Sequence, residues 1–593
     1  MSSSPDRSSA AAGTASASLA AAVTALRNLR LDEAIAAARA ATSAHPADAR
    51  AAEVLSVALV EAGRRDEAIE CLRRAVDAGA GAGTRGRLAG QYMAAGAFDA
   101  ALEAFDAAES EHVAAQERAG VDGAGAAAGH AAGVQGSEHG GDLAGNLAGN
   151  LGDGSVGGAS FAATDHVRIA LVAGRTECLE RMGRLDDAVA GIAGSVDGGA
   201  TPPAIASVAV RVLGRSAPDE AIALGRAVHE AAIGTTADRD PTIRDLRLTL
   251  ARQLERAGDA AAAFDVAAAA HRGHRAPFDL MAYGRMIDGI IRGFTAERIA
   301  ATRDAVGVDG TRSIFVVGAP RCGSTLLERM LAQHPNVVGL GEIPAFHRIA
   351  VRLAGVAAAG RLATSDAEAA GREYVATCVR LASQAASGAR DSAESRESPE
   401  STESPESLGA GGDSGVPDAA PHLVNKDLGV LLHAGLASML LPGATIVHVR
   451  REAVDHGLAI WMERLRPSAA PWAADLRHVG SVLRRLSRLS EHWADVLGDR
   501  FVTVDYERLV ETPEACLRPV LDAAGLPWDP ACLDFAGSTR VERTLSYAQA
   551  RQPLSRASVG RSDLYGARLD PLRRALGRPS WDERTNQPGA AED

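Results

Sequence analysis

The chain has 593 residues, which at roughly 150 residues per domain means several domains, or fewer if part is repeat array or linker. Apolar residues make up 46% but aromatic residues only 4%, so the apolar share is largely alanine and favours close-packed helices over aromatic-rich β-sandwiches. A formal charge of -13 argues against nucleic-acid phosphate binding as the chain's general business.

The six cysteines (Cys71, Cys178, Cys322, Cys378, Cys516 and Cys532) are widely spaced, with no CxxC pair and no histidine at metal-ligand spacing. A disulfide scaffold and a zinc ribbon are therefore not expected, and no metal site is assigned. The N-terminus lacks a basic segment followed by a strongly apolar one, and no apolar run reaches the roughly 18 residues of a membrane span. The expectation is a cytoplasmic protein. Among the 62 lysine and arginine residues only Lys426 is lysine. Where a plain positive charge suffices arginine has replaced it, so the survivor marks a place that needs a compact, rotatable ammonium.

In chain order, residues 1 to 16 are rich in Ser, Ala and Gly and are expected to be disordered. A repeat follows. Leu31-Asp32-Glu33-Ala34-Ile35 recurs 34 residues later as Arg65-Asp66-Glu67-Ala68-Ile69 and 33 residues after that as Phe98-Asp99-Ala100-Ala101-Leu102. The latter two copies follow Ala62-Gly63 and Ala95-Gly96, and more degraded units stand at Met182 to Ala188 and Ala257 to Ala260. A period near 34, with Ala-Gly closing one helix and Asp-x-Ala opening the next, is the tetratricopeptide pattern, although its usual Trp and Tyr positions are mostly replaced. We therefore expect an all-α solenoid over 17 to 290. A Gly/Ala-rich insertion at about 120 to 160 and a Ser/Glu/Pro-rich one at about 386 to 419 read as flexible.

From Ser313 the pattern changes. Ser313 to Val317 is a short β-branched run, followed by the loop Gly318-Ala319-Pro320-Arg321-Cys322-Gly323-Ser324-Thr325 and a helical Leu326 to Leu331. Thr445 to Val449 and Phe501 to Val504 are further strand candidates, each followed by helical sequence. Alternating strands and helices imply an α/β fold with a parallel sheet. A strand, tight loop and helix present backbone N–H groups and a helix N-terminus to a phosphate. The loop is a poor Walker A, because Ser324-Thr325 rather than Lys-Ser/Thr follows the second glycine.

The loop Pro320-Arg321-Cys322-Gly323-Ser324-Thr325-Leu326-Leu327 resembles the PRSGTTLL loop of sulfotransferases, which grips the 5′-phosphosulfate of 3′-phosphoadenosine 5′-phosphosulfate (PAPS). His334-Pro335 and Gly341-Glu342 are similar to the HP…GE pattern of the branch that contains tyrosylprotein sulfotransferases and bacterial tetratricopeptide-sulfotransferase fusions. Asn425-Lys426-Asp427 resembles the family's NKD segment, Val449-Arg450-Arg451-Glu452 its VRRDP strand end, and Val504 to Leu509 its YEDL segment. Arg543 to Pro553 and Ser558-Val559-Gly560-Arg561 resemble the RTASxxQVRQP…SVGR tail.

The resemblance covers about 313 to 575 and implies a P-loop-like sulfotransferase domain over 310 to 578, followed by a flexible tail over 579 to 593. It implies PAPS as sulfuryl donor, no required metal, and a hydroxyl acceptor: protein tyrosine, glycan or small molecule, held or recruited by the helical repeats. Glu342 is implied as the base and Lys426 as the donor to the leaving oxygen, with Arg321 and Ser546 stabilising the transferring group. Arg321, Cys322, Gly323, Ser324, Thr325, Arg451, Tyr506, Gln549 and Arg561 are implied at the cofactor. Departures are Cys322 for Ser, Ser324 for Thr, Leu428 for Pro, Ser562 for Trp, and Ala459 where a serine is expected. Two alternatives stand beside this reading: a repeat adaptor with weakened catalysis, raised by Ala459, and a P-loop small-molecule kinase. A reactive thiol at Cys322 is the weaker reading of that residue, since no partner base is placed near it.

Overall fold

The computed structural model describes residues 7–28, 30–122, 166–394, 421–467, 469–535, 554–582 and 587–588. The chain divides into two compact units, Met1–Ala276 with Met462–Ala474, and Pro277–Trp461 with Asp475–Asp593.

The first unit is helical. Its helices are α1 (Arg7–Arg27), α2 (Leu31–Ala44), α3 (Ala49–Glu61), α4 (Arg65–Asp77), α5 (Ala82–Ala95), α6 (Phe98–Asp122), α7 (His166–Met182), α8 (Leu185–Ile192), α9 (Pro203–Leu213), α10 (Pro218–Ala232), α11 (Pro241–Arg256) and α12 (Ala260–Arg272). Successive helices pack on one another from α1 through α7. The Ala-Gly pairs of the sequence and the Met182-Gly183 pair sit at the reversals: Gly63, Gly96, Gly183 and Gly258 have φ of 73°, 83°, 82° and 86°. That left-handed conformation is strained for a residue with a Cβ. Alanine lines the contacts, as in the cluster of Ala34, Ala38, Ala52, Ala58 and Ala68, because a methyl group lets neighbouring helix backbones approach closely.

Three boundaries depart from the sequence expectation. Helix α1 begins at Arg7, inside the stretch read as disordered, since its alanines favour helix more than its serines oppose it. The helical unit ends at Ala276, short of 290, and takes in Met462–Ala474. In that segment Glu463 is 2% exposed and pairs with Arg252 at 2.5 Å, a long-range partner that no local pattern announces. The two insertions expected to be flexible lie, apart from their helical margins at 120–122 and 386–394, outside the described residues.

The second unit opens with α13 (Leu280–Gly293) and α14 (Ala296–Arg303). It is built on a five-stranded sheet of β1 (Ser313–Val317), β2 (Val337–Gly341), β3 (His422–Asn425), β4 (Thr445–Arg450) and β5 (Phe501–Asp505), in the order β2-β3-β1-β4-β5. All four pairings are parallel. Helices α15 (Ser324–Leu331), α16 (Ala345–Ala358), α17 (Thr364–Glu394), α18 (Ala434–Leu440), α19 (Ala453–Trp461), α20 (Leu476–Leu497), α21 (Tyr506–Glu511), α22 (Pro513–Ala524) and α23 (Asp570–Leu576) complete it. Strand β1 is buried along its whole length, as a central strand covered on both faces must be. One core cluster holds Ile314, Val316, Val424, Val447, Val449, Leu517 and Leu521. The strand order reverses beside β1, which puts a binding crevice at the carboxyl ends of the strands. Past residue 579, Trp581–Asp582 pairs antiparallel with Gln587–Pro588. The Arg573 guanidinium lies 4.8 Å from the Trp581 ring centre, so the start of the expected flexible tail is anchored.

Candidate active site

Each strand of the sheet delivers a residue of interest from its carboxyl end. Strand β1 runs into the loop 318–323, β2 into Glu342, β3 into Lys426, β4 into Arg451 and β5 into Tyr506. Because the strands are parallel, residues distant in sequence converge on one edge.

The loop after β1 is conformationally forced. Gly323 has φ of 105° and caps α15, and a Cβ there would lie 2.3 Å from Cδ2 of Tyr506. Both the backbone and the tyrosine ring therefore require glycine. Arg321 has φ of 69° and is the one non-glycine residue with positive φ among the described residues, a conformation that costs about 1–2 kcal/mol and is found where a loop must hold a side chain in a particular direction. The loop is held from beneath by His456 of α19, whose Nε2 donates to the Pro320 carbonyl at 2.8 Å. Burial, with the neighbouring Arg451 charge, pushes the His456 pKa down to about 3, so the ring is neutral. Cys322 is fully buried, and burial pushes its thiol up. It packs in the core cluster with Ile314, Val316 and Leu327 and braces the loop as a neutral thiol.

Glu342 and Lys426 form an ion pair at 2.7 Å between Oε1 and Nζ. Their side chains are 59% and 1% exposed, so the carboxylate opens outward and the ammonium lies inside. A register shift in the β2–β3 ladder sets Gly341 opposite Asn425, and the Lys426 amide donates to the Gly341 carbonyl at 2.9 Å. The two residues that follow are thereby brought face to face. Asn425 is tied by its side-chain amide to the Tyr374 hydroxyl at 3.1 Å, within an aromatic cluster with Phe315 and Phe346. Asp427 caps the next turn by accepting from the Gly429 amide at 3.0 Å, and burial raises its pKa.

The two arginines that end β4 are separated by the strand's alternation. Arg450 is 61% exposed and pairs with Asp505 at 2.6 Å. Arg451 turns to the loop instead, donating from Nη1 to the Arg321 carbonyl at 3.0 Å and from Nη2 to the Ser558 carbonyl at 2.6 Å. Its guanidinium carbon lies 4.9 Å from the Tyr506 ring centre. Burial pushes its pKa below the ordinary arginine value, and the positive charge of Arg561 acts in the same direction. Arg451 Nε is buried and has no hydrogen-bond partner among the described residues. Arg561 is positioned by Asp455, which accepts from the Gly560 amide at 2.5 Å and the Ser562 amide at 2.7 Å. The Arg561 charge thus acts on a buried guanidinium whose Nε has no hydrogen-bond partner among the described residues.

The structure thus brings together Arg321, Cys322, Gly323, Ser324, Thr325, Arg451, Tyr506 and Arg561, and separately pairs Glu342 with Lys426. Ser546 and Gln549 lie outside the described residues. Ala459 is buried on α19, four residues beyond Asp455 and therefore on the same helix face. Sequence reasoning missed Asp455, His456 and Glu328, which act on partners through the fold. His334 is a structural histidine: it donates to the Pro527 carbonyl at 3.0 Å and accepts from the Asn336 amide at 3.1 Å.

Residues 313–530 match the Sulfotransferase family profile. They form a sulfotransferase-like domain. The matched span includes the loop, Glu342, Lys426, Arg451 and Tyr506, and stops short of Arg561. The chain is also 27% identical over 297 residues to an uncharacterized protein of Aquifex aeolicus (strain VF5), a stretch that covers 50% of this chain and 36% of the relative. The chain spans about a third of that relative's length. Among solved structures it is similar to the sulfotransferase domain of the Synechococcus PCC 7002 olefin synthase, at 19% identity and a TM-score of 0.26, covering 42% of this chain and 86% of that one. It is likewise similar to the sulfotransferase domain from the curacin biosynthetic pathway, at 15% identity and a TM-score of 0.25, covering 40% and 81%. Among the described residues no helix of the molecule is long and apolar enough to cross a membrane.

Proposed function

We propose that the protein transfers a sulfuryl group from PAPS to a hydroxyl acceptor, and that its helical unit is a tetratricopeptide array that positions the acceptor. The observation that carries the reading is the joint arrival, at one sheet edge, of the buried Lys426 against the open Glu342 at 2.7 Å and of Arg451 with its orphaned Nε beside Arg561. The residues fit the donor molecule: the loop after β1 turns at Gly323 into the N-terminus of α15, which offers backbone N–H groups to one phosphate, and Arg451 and Arg561 supply donors for a second.

When bound, PAPS would supply the sulfuryl group and a phosphate leaving group. The chain's own residues do the rest. Arg321 and the first turn of α15 hold negative charge by oriented N–H groups, with Ser546 and Gln549 assigned to the same site by the sequence resemblance. Arg451 and Arg561 hold the 3′-phosphate and fix the donor's orientation. Glu342, open to solvent, takes the proton of the acceptor hydroxyl, and Lys426 presents its ammonium protons to the oxygen that gains charge.

Incubation with labelled PAPS, in parallel with γ-labelled ATP, tests the reading against the kinase and adaptor alternatives. Transfer of sulfur label into host-lysate acceptors, with the mass gain of one SO₃, supports it. Transfer only from ATP, or from neither donor with every acceptor class, rejects it. Mass spectrometry of the labelled material then separates protein tyrosine, glycan and small-molecule acceptors.

A further inference from the structure

Three charged groups meet where β2 and β3 end, and one of them has no part in the chemistry described above. Glu328 belongs to α15, the helix that follows the loop. Its Oε1 accepts from the Gly341 amide at 2.7 Å, and its Oε2 lies 3.9 Å from Lys426 Nζ. Its side chain is 10% exposed, against 1% for Lys426 and 59% for Glu342. The ammonium is therefore shared between an inner carboxylate, pinned by a backbone amide, and an outer one open to solvent.

The difference between the two carboxylates bears on turnover. A base that accepts a proton gives up its charge, and a buried ammonium whose counter-charge disappears is driven to lose its own proton. Asp427 and Cys322 also face the Lys426 charge, and burial raises the pKa of both. Glu328, only 10% exposed and bound to the Gly341 amide, takes no part in such a cycle.

We propose that Glu328 is a positioning residue that pins the turn leading into Glu342 and supplies the standing negative charge that keeps Lys426 protonated while Glu342 gains and loses a proton. The assignment of Glu342 as the cycling base rests on the sulfuryl-transfer reading, whereas the geometry of Glu328, Gly341 and Lys426 does not.

Because Lys426 is the sole lysine, the full chain labelled with [13Cε]lysine gives one side-chain signal whose titration reports this ammonium directly. Glu328→Gln keeps a carbonyl oxygen for the Gly341 amide and removes the charge. The Lys426 signal should then titrate about one pH unit lower, and kcat should fall about tenfold with binding of 3′-phosphoadenosine 5′-phosphate little changed. Glu328→Asp, which restores a charge, should return the midpoint part of the way. An unmoved midpoint in a Glu328→Gln protein that still melts cooperatively and binds the nucleotide means Glu328 only satisfies a backbone amide, and overturns the proposal. Glu342→Gln serves where Glu328→Gln does not fold: Lys426 must stay protonated at neutral pH with the outer carboxylate gone, and a neutral Lys426 there overturns the proposal equally. A shifted midpoint without sulfuryl transfer to any acceptor would uphold the role of Glu328 and sink the proposed reaction instead.

Discussion

Buried charge occurs in both units and means different things in each. In the helical unit Glu180, with its side chain 0% exposed, is held by Arg211 at 2.6 Å and Arg215 at 3.2 Å, and Glu177 pairs with Arg181 at 2.7 Å. These groups answer one another within and between neighbouring helices. At the sheet edge Lys426 is as deeply buried, yet its nearest partner is the open Glu342, 59% exposed. Burial of charge therefore does not by itself mark a working site. What sets the sheet edge apart is a buried ammonium whose nearest counter-charge lies open to solvent at the end of a strand.

Substitutions that should affect one region and spare the other can break this contrast. The largest effect expected is Glu180→Ala, which strands the Arg211 and Arg215 charges and should cost about 3 kcal/mol of stability, read by denaturant unfolding, with nucleotide affinity unchanged. A loss of affinity of comparable size would show that the two kinds of buried charge are not separable. Next comes Lys426→Arg. The planar guanidinium cannot occupy the ammonium's place against Glu342 and resists deprotonation, so turnover should fall about 10²-fold, or about 2.7 kcal/mol, with nucleotide affinity within a few-fold. A fully active variant would reduce Lys426 to a plain charge.

A somewhat smaller effect, about 1.5 to 3 kcal/mol, is expected for Arg451→Ala on binding of 3′-phosphoadenosine 5′-phosphate. Calorimetry should show a much smaller loss for adenosine 5′-phosphate. Equal losses would mean that Arg451 does not read the 3′-phosphate. The last effect, the smallest for a single unit of pH, concerns acid. His456 has a folded-state pKa of about 3 against about 6.5 in the unfolded chain, so below about pH 6.5 the unfolded state takes up a proton that the folded state refuses. Stability is full above that value and should decline as pH falls, by about 1.4 kcal/mol per pH unit from this residue. His456→Gln should flatten the acid slope by that amount, and an unchanged slope would show that the ring is not held neutral beneath Pro320.

Much of the fold was legible because the signals are local. The Ala-Gly pairs mark helix reversals through the conformation that only glycine adopts easily, and the β-branched runs at 313, 445 and 501 became β1, β4 and β5. Strands β2 and β3 were not singled out. At five and four residues, with Gly339, Gly341, His422 and Asn425 among them, they carry too little apolar pattern to stand out from loops. The motifs that end them, Gly341-Glu342 and Asn425-Lys426-Asp427, were nevertheless conspicuous, through the resemblance and through the lone lysine.

The sequence by itself determined the identity of the chemically distinctive residues, the change from helical repeats to alternating strands and helices, and the loop that requires Gly323. Only the tertiary structure decided that Glu342 and Lys426 face each other, that Arg451 donates to the Arg321 and Ser558 carbonyls, and that Glu328, Asp455 and His456 bond to the segments around them. The reason is physical. A residue type or a backbone conformation is fixed by neighbours along the chain, whereas a contact between Glu342 and Lys426, or between Asp455 and Gly560, exists only after parallel strands with long crossovers have been set side by side.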